Sequence, residues 1–148
     1  EKDVVTIMKE TIELLNAQAI LVNVQIQLNH NGSVPLVYCE PNQLKQVFIN
    51  ILKNAIEVMP SGGTIQVDIM LKNEKELKIS IIDEGSGIPE DKIKRLGEPF
   101  YTTKDRGTGL GLMVSYKIIE EHCGKVEVES KVGNGTAFHI TLPIKQTM

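Results

Sequence analysis

The chain has 148 residues, enough for one domain with a sizeable core, and 41% of them are hydrophobic and 24% charged, as in folded globular proteins. The net charge of −3 argues against a general nucleic-acid or anionic-membrane surface, and no apolar run approaches the roughly 20 residues of a membrane helix. Cys39 and Cys123 lack metal-site spacing and fit free thiols in a reducing, cytoplasmic compartment better than a disulfide. We expect no nucleic acid partner and no direct membrane contact for this chain. Because it starts at Glu1 rather than Met, we also expect a longer parent, which could carry a membrane anchor elsewhere.

Two helices and two strands are predicted in the first part of the chain. Apolar residues at near-helical spacing predict a helix over residues 3–20, and alternating apolar and polar residues predict a strand over 22–28. A short strand is expected at 36–39. Pro41 suits the first turn of a second helix, which the segment 60–63 ends. One face of this helix is apolar throughout: Leu44, Val47, Phe48, Ile51, Leu52, Ala55 and Met59.

The remaining elements complete a mixed fold. In chain order they are strands over 65–71 and 77–81, a long loop over 85–109 with a short helix near 90–95, a helix over 110–123, and strands over 126–130 and 136–144. A loop of that length inside a compact domain is usually a lid or a binding loop. The pattern predicts an α+β fold, a two-layer α/β sandwich in which a mixed, mostly antiparallel sheet packs on helices.

Two asparagines lie four residues apart on the second helix. Asn50 and Asn54 share a polar stripe with Gln43 and Glu57, which an ordinary solvated helix side would also explain. Asparagine is unfavourable inside a helix because its amide competes for backbone hydrogen bonds, so the pair suggests a functional role. A carboxamide oxygen is a hard, neutral ligand of the kind that Mg²⁺ accepts.

Asp83 continues the period-two pattern of Leu77, Ile79 and Ile81, so its carboxylate is predicted to point inward. A buried carboxylate is costly unless it is paired, either with a backbone N–H or water or with a ligand. Thr136 lies in register with the inward residues of the last strand and is predicted to point inward as well.

A glycine-rich box over residues 107–112 (GTGLGL) ends the long loop and opens a helix. This geometry presents backbone N–H groups to a phosphate, whereas a flexible linker would need no regular glycine spacing. The box is neither a Rossmann fingerprint nor a Walker loop, since the surrounding βαβ unit and the Gly-Lys-Ser/Thr signature are missing from the sequence.

Four boxes thus follow one another in order: residues 50–54 (NILKN), 83–87 (DEGSG), 107–112 (GTGLGL) and 133–136 (GNGT). Together they resemble the ATP-binding catalytic domain of bacterial sensor histidine kinases, which belongs to the Bergerat-fold ATPases with gyrase, the Hsp90 chaperones and the MutL repair proteins. The resemblance covers roughly residues 36–143. The segment 98–104 (EPFYTTK) resembles the phenylalanine box and the start of the ATP lid, and with the low aromatic content it resembles the sporulation kinases of Bacillus-type bacteria in particular.

The resemblance implies ATP and Mg²⁺ as cofactors. It assigns Asn54 to the metal, Asn50 to its support, and Asp83 to the adenine amine with Thr136 assisting, while Lys104 joins the two asparagines as a catalytic residue. Lys104 and Arg106 are the candidate triphosphate contacts, with Lys53 as a third, although each could equally be a solvated charge. The other implied nucleotide contacts are Gly85, Gly87, Ile88, Phe100, Thr102, Thr103, Gly107, Thr108, Gly109, Leu110, Gly111 and Leu112.

The residue types around the second helix also bear on the reaction. The ATP-hydrolysing relatives place a glutamate one helical turn before the metal asparagine, as a base for water, whereas this chain has Asn50. Many histidine kinases have a lysine and an aromatic residue three and four positions after the metal asparagine. This chain has Glu57 and Val58 at those positions, as in the subgroup with Asn-Ala-Ile-Glu. The resemblance therefore implies a kinase that transfers the γ-phosphoryl of ATP to a histidine.

That histidine is expected on a partner, because His30, His122 and His139 fit structural roles better. The implied partners are a dimerisation and phosphoacceptor domain of the same parent chain and a response regulator. Residues 1–20 would then lead from that domain, and residues 21–148 would form the catalytic domain. Two alternatives stay open: a serine kinase of the anti-sigma type, which tends to keep an acidic residue at position 50, and a nucleotide-binding module without catalysis.

Overall fold

A computed structural model of the chain describes residues 3–30, 36–59, 61–85, 87, 110–130 and 132–144. In chain order, the elements are α1 (Val4–Leu21), β1 (Val24–His30), α2 (Pro41–Glu57), β2 (Gly63–Leu71), β3 (Glu76–Ile82), α3 (Leu110–Glu121), β4 (Lys125–Ser130) and β5 (Thr136–Pro143). Within these ranges, no helix is both long and apolar enough to cross a membrane. The short helix expected near 90–95 lies outside the described residues.

The five strands form one sheet in the order β1-β2-β3-β5-β4. β1 and β2 are parallel, and α2 makes the crossover that parallel neighbours require, while the other three pairings are antiparallel. The predicted mixed, mostly antiparallel sheet packed on helices is confirmed. β3 lies at the centre of the sheet, with β2 on one side and β5 on the other.

The core lies between one face of the sheet and the helices. Alternate residues of the three inner strands are buried: Ile65, Val67, Ile69, Leu77, Ile79, Ile81, Phe138, Ile140 and Leu142. The apolar face of α2 packs against them, and its central residues Phe48 and Leu52 are fully buried. This packing confirms the predicted face of α2 and fixes which side of that helix borders the end of β3.

Three predicted features differ from the structure. The strand expected at 36–39 is reduced to a single bridge at Val37, because the backbone N–H of Glu40 donates to His122 and its side chain caps α2. Leu71, which the alternating pattern of Ile65, Val67 and Ile69 predicts to be buried, is 52% exposed. β1 starts at Val24 rather than at residue 22, because Asn23 adopts a left-handed φ of 59° after α1.

α1 packs into the same core as the sheet. Asp3 caps its N-terminus by accepting a hydrogen bond from the Val5 N–H at 2.9 Å. Val4 and Met8 are fully buried, and Glu10 lies 3.8 Å from Lys45 of α2. The helix therefore contributes apolar surface to the core rather than projecting from it.

A pair of substitutions on α1 tests this packing. Met8→Ala should lower the free energy of unfolding by about 2–5 kcal/mol, because it leaves a cavity in the core. Leu14→Ala on the same helix is the matched control: Leu14 is 62% exposed, and its loss should change the free energy by no more than about 0.5 kcal/mol. Urea denaturation measures both values. Equal values for the two variants would contradict the placement of α1 in the core.

Candidate functional site

The candidate site residues that the structure describes gather where four elements meet. These are the C-terminal half of α2, the end of β3, the turn between β4 and β5, and the first turn of α3. Gly85 packs against Val58 at the end of α2, Asp83 bonds Thr136 at the start of β5, and Asn50 of α2 bonds Gly111 of α3. Direct contacts thereby join the four sequence boxes in two pairs, residues 83–87 with 133–136 and residues 50–54 with 107–112.

The carboxylate of Asp83 is the centre of this region. The residue is only 6% exposed, which confirms its predicted inward orientation. Its Oδ1 accepts hydrogen bonds from the backbone N–H groups of Gly85 at 2.8 Å and Thr136 at 3.2 Å. Burial raises the pKa of Asp83 above its ordinary value of 3.8, and the two backbone hydrogen bonds oppose that shift. Both of these donors use Oδ1, so Oδ2 is the oxygen best placed to accept a ligand N–H.

Glycine is required on both sides of this carboxylate. A Cβ on Gly85 would lie 2.5 Å from Cγ2 of Val58, so only glycine lets the segment after β3 lie against α2. Gly135 has a φ of +83°, and a Cβ there would collide with the backbone oxygen of Asp83. These two glycines are therefore explained by close contacts within the protein, in addition to the approach to a base that the resemblance implies.

Asn50 and Asn54 have different environments. The amide nitrogen of Asn50 donates to the Gly111 carbonyl at 3.0 Å and to the Ser115 hydroxyl at 3.1 Å, and its oxygen accepts from Gln46 at 2.8 Å. Asn50 thus holds α2 against the first turn of α3, which contains the last residues of the glycine box. Asn54 lies one turn nearer the end of α2 and is half-buried.

The amide donor of Asn50 faces acceptors, which explains why an acidic residue would not fit its position. The Ser115 hydroxyl is buried and itself donates to the Gly111 carbonyl at 2.9 Å. A carboxylate at position 50 would therefore meet a carbonyl oxygen and a hydroxyl whose proton is already used. The asparagine is a structural requirement of the α2–α3 contact, as well as a residue that cannot take a proton from water.

Thr136 is buried as predicted, and it supports Asp83 through its backbone. Its N–H donates to Asp83 Oδ1, while its hydroxyl lies 2.8 Å from that of Ser130. Leu112 is partly buried against the core, Gly111 contacts Asn50, and Leu110 is the first residue of α3. Gly87 adopts a left-handed φ of 81°.

The predictions for the lid and most of the phosphate box stay predictions, because those residues lie outside the described part of the chain. They are Ile88, Phe100, Thr102, Thr103, Lys104, Arg106, Gly107, Thr108 and Gly109. Among the residues that the structure describes, no group of three or more His, Cys, Asp or Glu side chains could hold a metal ion. A magnesium ion held by one amide and by ligand phosphates needs no such cluster, so the half-buried amide of Asn54 fits that ion.

The sequence analysis missed several residues that build the site. Glu84 accepts a hydrogen bond from the Thr64 N–H at 2.6 Å, and its own N–H lies 3.3 Å from Sδ of Met59. Ser115 and Gln46 complete the bonds of Asn50. The roles of Glu84 and Ser115 depend on strand register and on contacts between distant segments, which no local sequence pattern signals, whereas the i, i+4 spacing of Gln46 and Asn50 on one helix is a local signal.

Comparison with known proteins assigns the class. The family model described as histidine kinase-, DNA gyrase B- and HSP90-like ATPase matches residues 39–146. The chain belongs to this family and is an ATP-binding domain of the histidine kinase type. The fold agrees: the solved catalytic domain of the histidine kinase ThkA superposes with a TM-score of 0.86 at 29% identity, covering 97% of this chain and 95% of that one.

Several curated proteins with high similarity to the chain are sporulation kinases. Sporulation kinase E of Bacillus subtilis (strain 168) is 68% identical over 146 residues, which is 99% of this chain and 20% of that protein. Sporulation kinase C of the same organism is 44% identical over 140 residues, 94% of this chain and 32% of that protein. The resemblance to histidine kinases, and to sporulation kinases in particular, is confirmed. The chain spans only a fifth to a third of these two relatives.

The raised pKa of Asp83 predicts a measurable cost to stability. A carboxyl whose pKa is higher in the folded state favours folding below its ordinary pKa, and that contribution is lost as the pH rises through the raised value. Asp83→Asn keeps an oxygen for both backbone donors and removes the charge, so the variant should be at least as stable as wild type at pH 7. Its advantage should shrink towards pH 3.

Chemical denaturation across this pH range measures the difference. Asp68→Asn is the control. Asp68 lies on the outer face of β2 and is less buried, so this variant should show no comparable gain in stability at pH 7. Marked destabilisation of Asp83→Asn at pH 7 would show that the ionised carboxylate is needed for folding rather than for a ligand.

Proposed function

We propose that the chain is the kinase domain of a sensor histidine kinase, which binds Mg·ATP and transfers the γ-phosphoryl to a histidine on a dimerisation and phosphotransfer domain of the same parent. The phosphoryl then passes to an aspartate of a response regulator. The observation that carries this proposal is the amide of Asn50, which bonds Gly111 and Ser115 at the position where hydrolysing relatives have a base.

In this proposal Asp83 accepts a hydrogen bond from the exocyclic amine of adenine. A carboxylate at this position favours adenine because guanine presents a carbonyl oxygen at the equivalent edge. Thr136 and Gly85 hold the carboxylate in place through their backbone N–H groups. Burial strengthens the interaction, since a charge-assisted hydrogen bond is stronger away from water.

At the other end of the nucleotide, Asn54 is proposed as the protein ligand of Mg²⁺. When bound, the ion neutralises the charge on the phosphates during transfer. The backbone N–H groups of residues 107–112, which lead into α3 in the sequence, are proposed to bind the phosphates together with Lys104, Arg106 and Lys53. The amide of Asn50 is too weak a base to accept a proton, so an attacking water stays unactivated and the γ-phosphoryl is kept for the partner histidine.

Two of the three histidines, His122 and His139, hydrogen-bond within the fold, which supports an acceptor on another domain. His122 accepts a hydrogen bond from the Glu40 N–H at 3.0 Å, and its other ring nitrogen lies 2.8 Å from the Ile118 carbonyl. His139 lies 2.8 Å from the Ser80 hydroxyl. Both rings serve packing between elements, as the sequence analysis expected for them.

The parent is proposed to be a cytoplasmic-facing kinase of the sporulation type, on the strength of the 68% identity with sporulation kinase E. Residues 1–20 are proposed to lead from the phosphotransfer domain into residues 21–148. Because α1 packs on α2 and β1, a helix arriving from upstream would be firmly attached to the catalytic domain. The likeness to sporulation kinases also disfavours the serine kinases of the anti-sigma type.

A transfer assay tests the proposal. With Mg·ATP alone the chain should bind nucleotide, release phosphate slowly and fail to label itself. Added to the histidine-bearing domain of its parent, it should produce an acid-labile phosphohistidine there. Asn54→Ala should lower the transfer rate by roughly 100-fold or more, because a group that organises charge at the phosphates is lost.

Gln43→Ala is the matched control, since Gln43 lies on the same polar stripe of α2 but is exposed; its transfer rate should equal that of wild type. Rapid ATP turnover by the chain alone would favour an ATPase instead. Normal transfer by Asn54→Ala would place the metal ligand elsewhere.

A further inference from the structure

β3 leaves the sheet at residues 83–84. On the side that faces β2, a side-chain oxygen takes the place of a backbone carbonyl as hydrogen-bond acceptor. The β2–β3 ladder ends at the pair Gln66 and Ile82. Two residues further in the same register, Thr64 would face Glu84. Its N–H instead donates to Oε1 of Glu84 at 2.6 Å, so the side-chain carboxylate supplies the acceptor that the strand carbonyl would otherwise provide.

On the side that faces β5, a side-chain oxygen again replaces a backbone carbonyl as acceptor. The register places Asp83 opposite Thr136, and the Asp83 N–H still donates to the Thr136 carbonyl at 2.9 Å. The return bond from the Thr136 N–H, however, goes to the side-chain Oδ1 of Asp83. Two neighbouring carboxylates therefore end the ladders on both flanks of the central strand.

Once released from β2, the backbone turns towards the end of α2. The N–H of Glu84 lies 3.3 Å from Sδ of Met59, which is buried, and Gly85 lies against Val58. A side chain on Gly63 would also press on Glu84, since its Cβ would lie 3.0 Å from Oε1. The orientation of the Asp83 carboxylate therefore depends on the hydrogen bond between Glu84 and β2.

We propose that Glu84 is a positioning residue for adenine recognition, acting through Asp83 without touching the nucleotide. Its oxygen holds the start of β2, which lets the chain leave the sheet while the carboxylate of Asp83 stays fixed towards the base. The inference rests on the proposed role of Asp83 as the adenine acceptor. It requires an acceptor oxygen at position 84 rather than a negative charge.

Calorimetry with Mg·ATP and Mg·ITP, which has a carbonyl in place of the adenine amine, tests the proposal. Glu84→Ala should weaken ATP binding by roughly tenfold or more, since small misplacements of a positioned group have large effects. ITP binding should change little, so the ATP:ITP selectivity should fall. Glu84→Gln should stay within about threefold of wild type, because an amide oxygen also accepts the Thr64 N–H.

Glu74→Ala in the exposed β2–β3 turn is the charge-matched control and should bind ATP like wild type. Should Glu84→Ala fail to fold, Glu84→Asp, which is one methylene too short to reach Thr64, must show the same loss of selectivity. Unchanged selectivity in the folded variant, an equal loss for both nucleotides, or a Glu84→Gln variant as weak as Glu84→Ala would overturn the proposal. Failure of wild type to prefer ATP over ITP would instead overturn the role of Asp83 on which it rests.

Discussion

An ionised carboxylate at the end of a central strand is tolerated only where donors compensate its burial, and the geometry around Asp83 follows from that constraint. Its Oδ1 takes two backbone N–H groups, from Gly85 and Thr136, yet burial still raises the pKa of the group. The close turn at Gly85 and the left-handed Gly135 both serve this arrangement. A carboxylate that remains costly in the absence of a ligand is well suited to a ligand that supplies a further N–H.

α2 links this carboxylate to the proposed metal end of the site. Its buried face fixes the helix on the sheet, so that Val58 meets Gly85 while Asn54 lies one turn earlier. Asn50 then joins the same helix to α3 at Gly111 and Ser115. The residues proposed to contact adenine, the metal and the phosphates are thus positioned by one helix. This arrangement suits phosphoryl transfer, in which positioning supplies most of the catalysis.

Periodicity in the sequence was sufficient for the parts of this account that depend on one element at a time. It predicted the buried face of α2 and the inward orientation of Asp83 and Thr136, because helical and strand periods decide which residues share a face. It failed at 36–39, directly before the cap of α2, where the Glu40 N–H donates to His122 and the Glu40 side chain accepts from the Asn42 N–H. The roles of Glu84 and Ser115 depend on partners 20 and 65 residues away, which only the register and the packing bring together. For the lid and residues 107–109, the sequence remains the basis of the assignment.

The central claim is that the carboxylate of Asp83 accepts the adenine amine, and a thermodynamic cycle tests it most directly. Dissociation constants for ATP and for purine riboside triphosphate, which lacks the amine, are measured by calorimetry with Mg²⁺ on wild type and on Asp83→Asn. We expect a coupling of at least about 1.5 kcal/mol between the amine and the carboxylate, the range of a hydrogen bond to a charged group. Wild type should strongly prefer ATP, and the variant should bind both nucleotides with similar affinity. A coupling near zero, with both proteins showing the same preference, would contradict the claim.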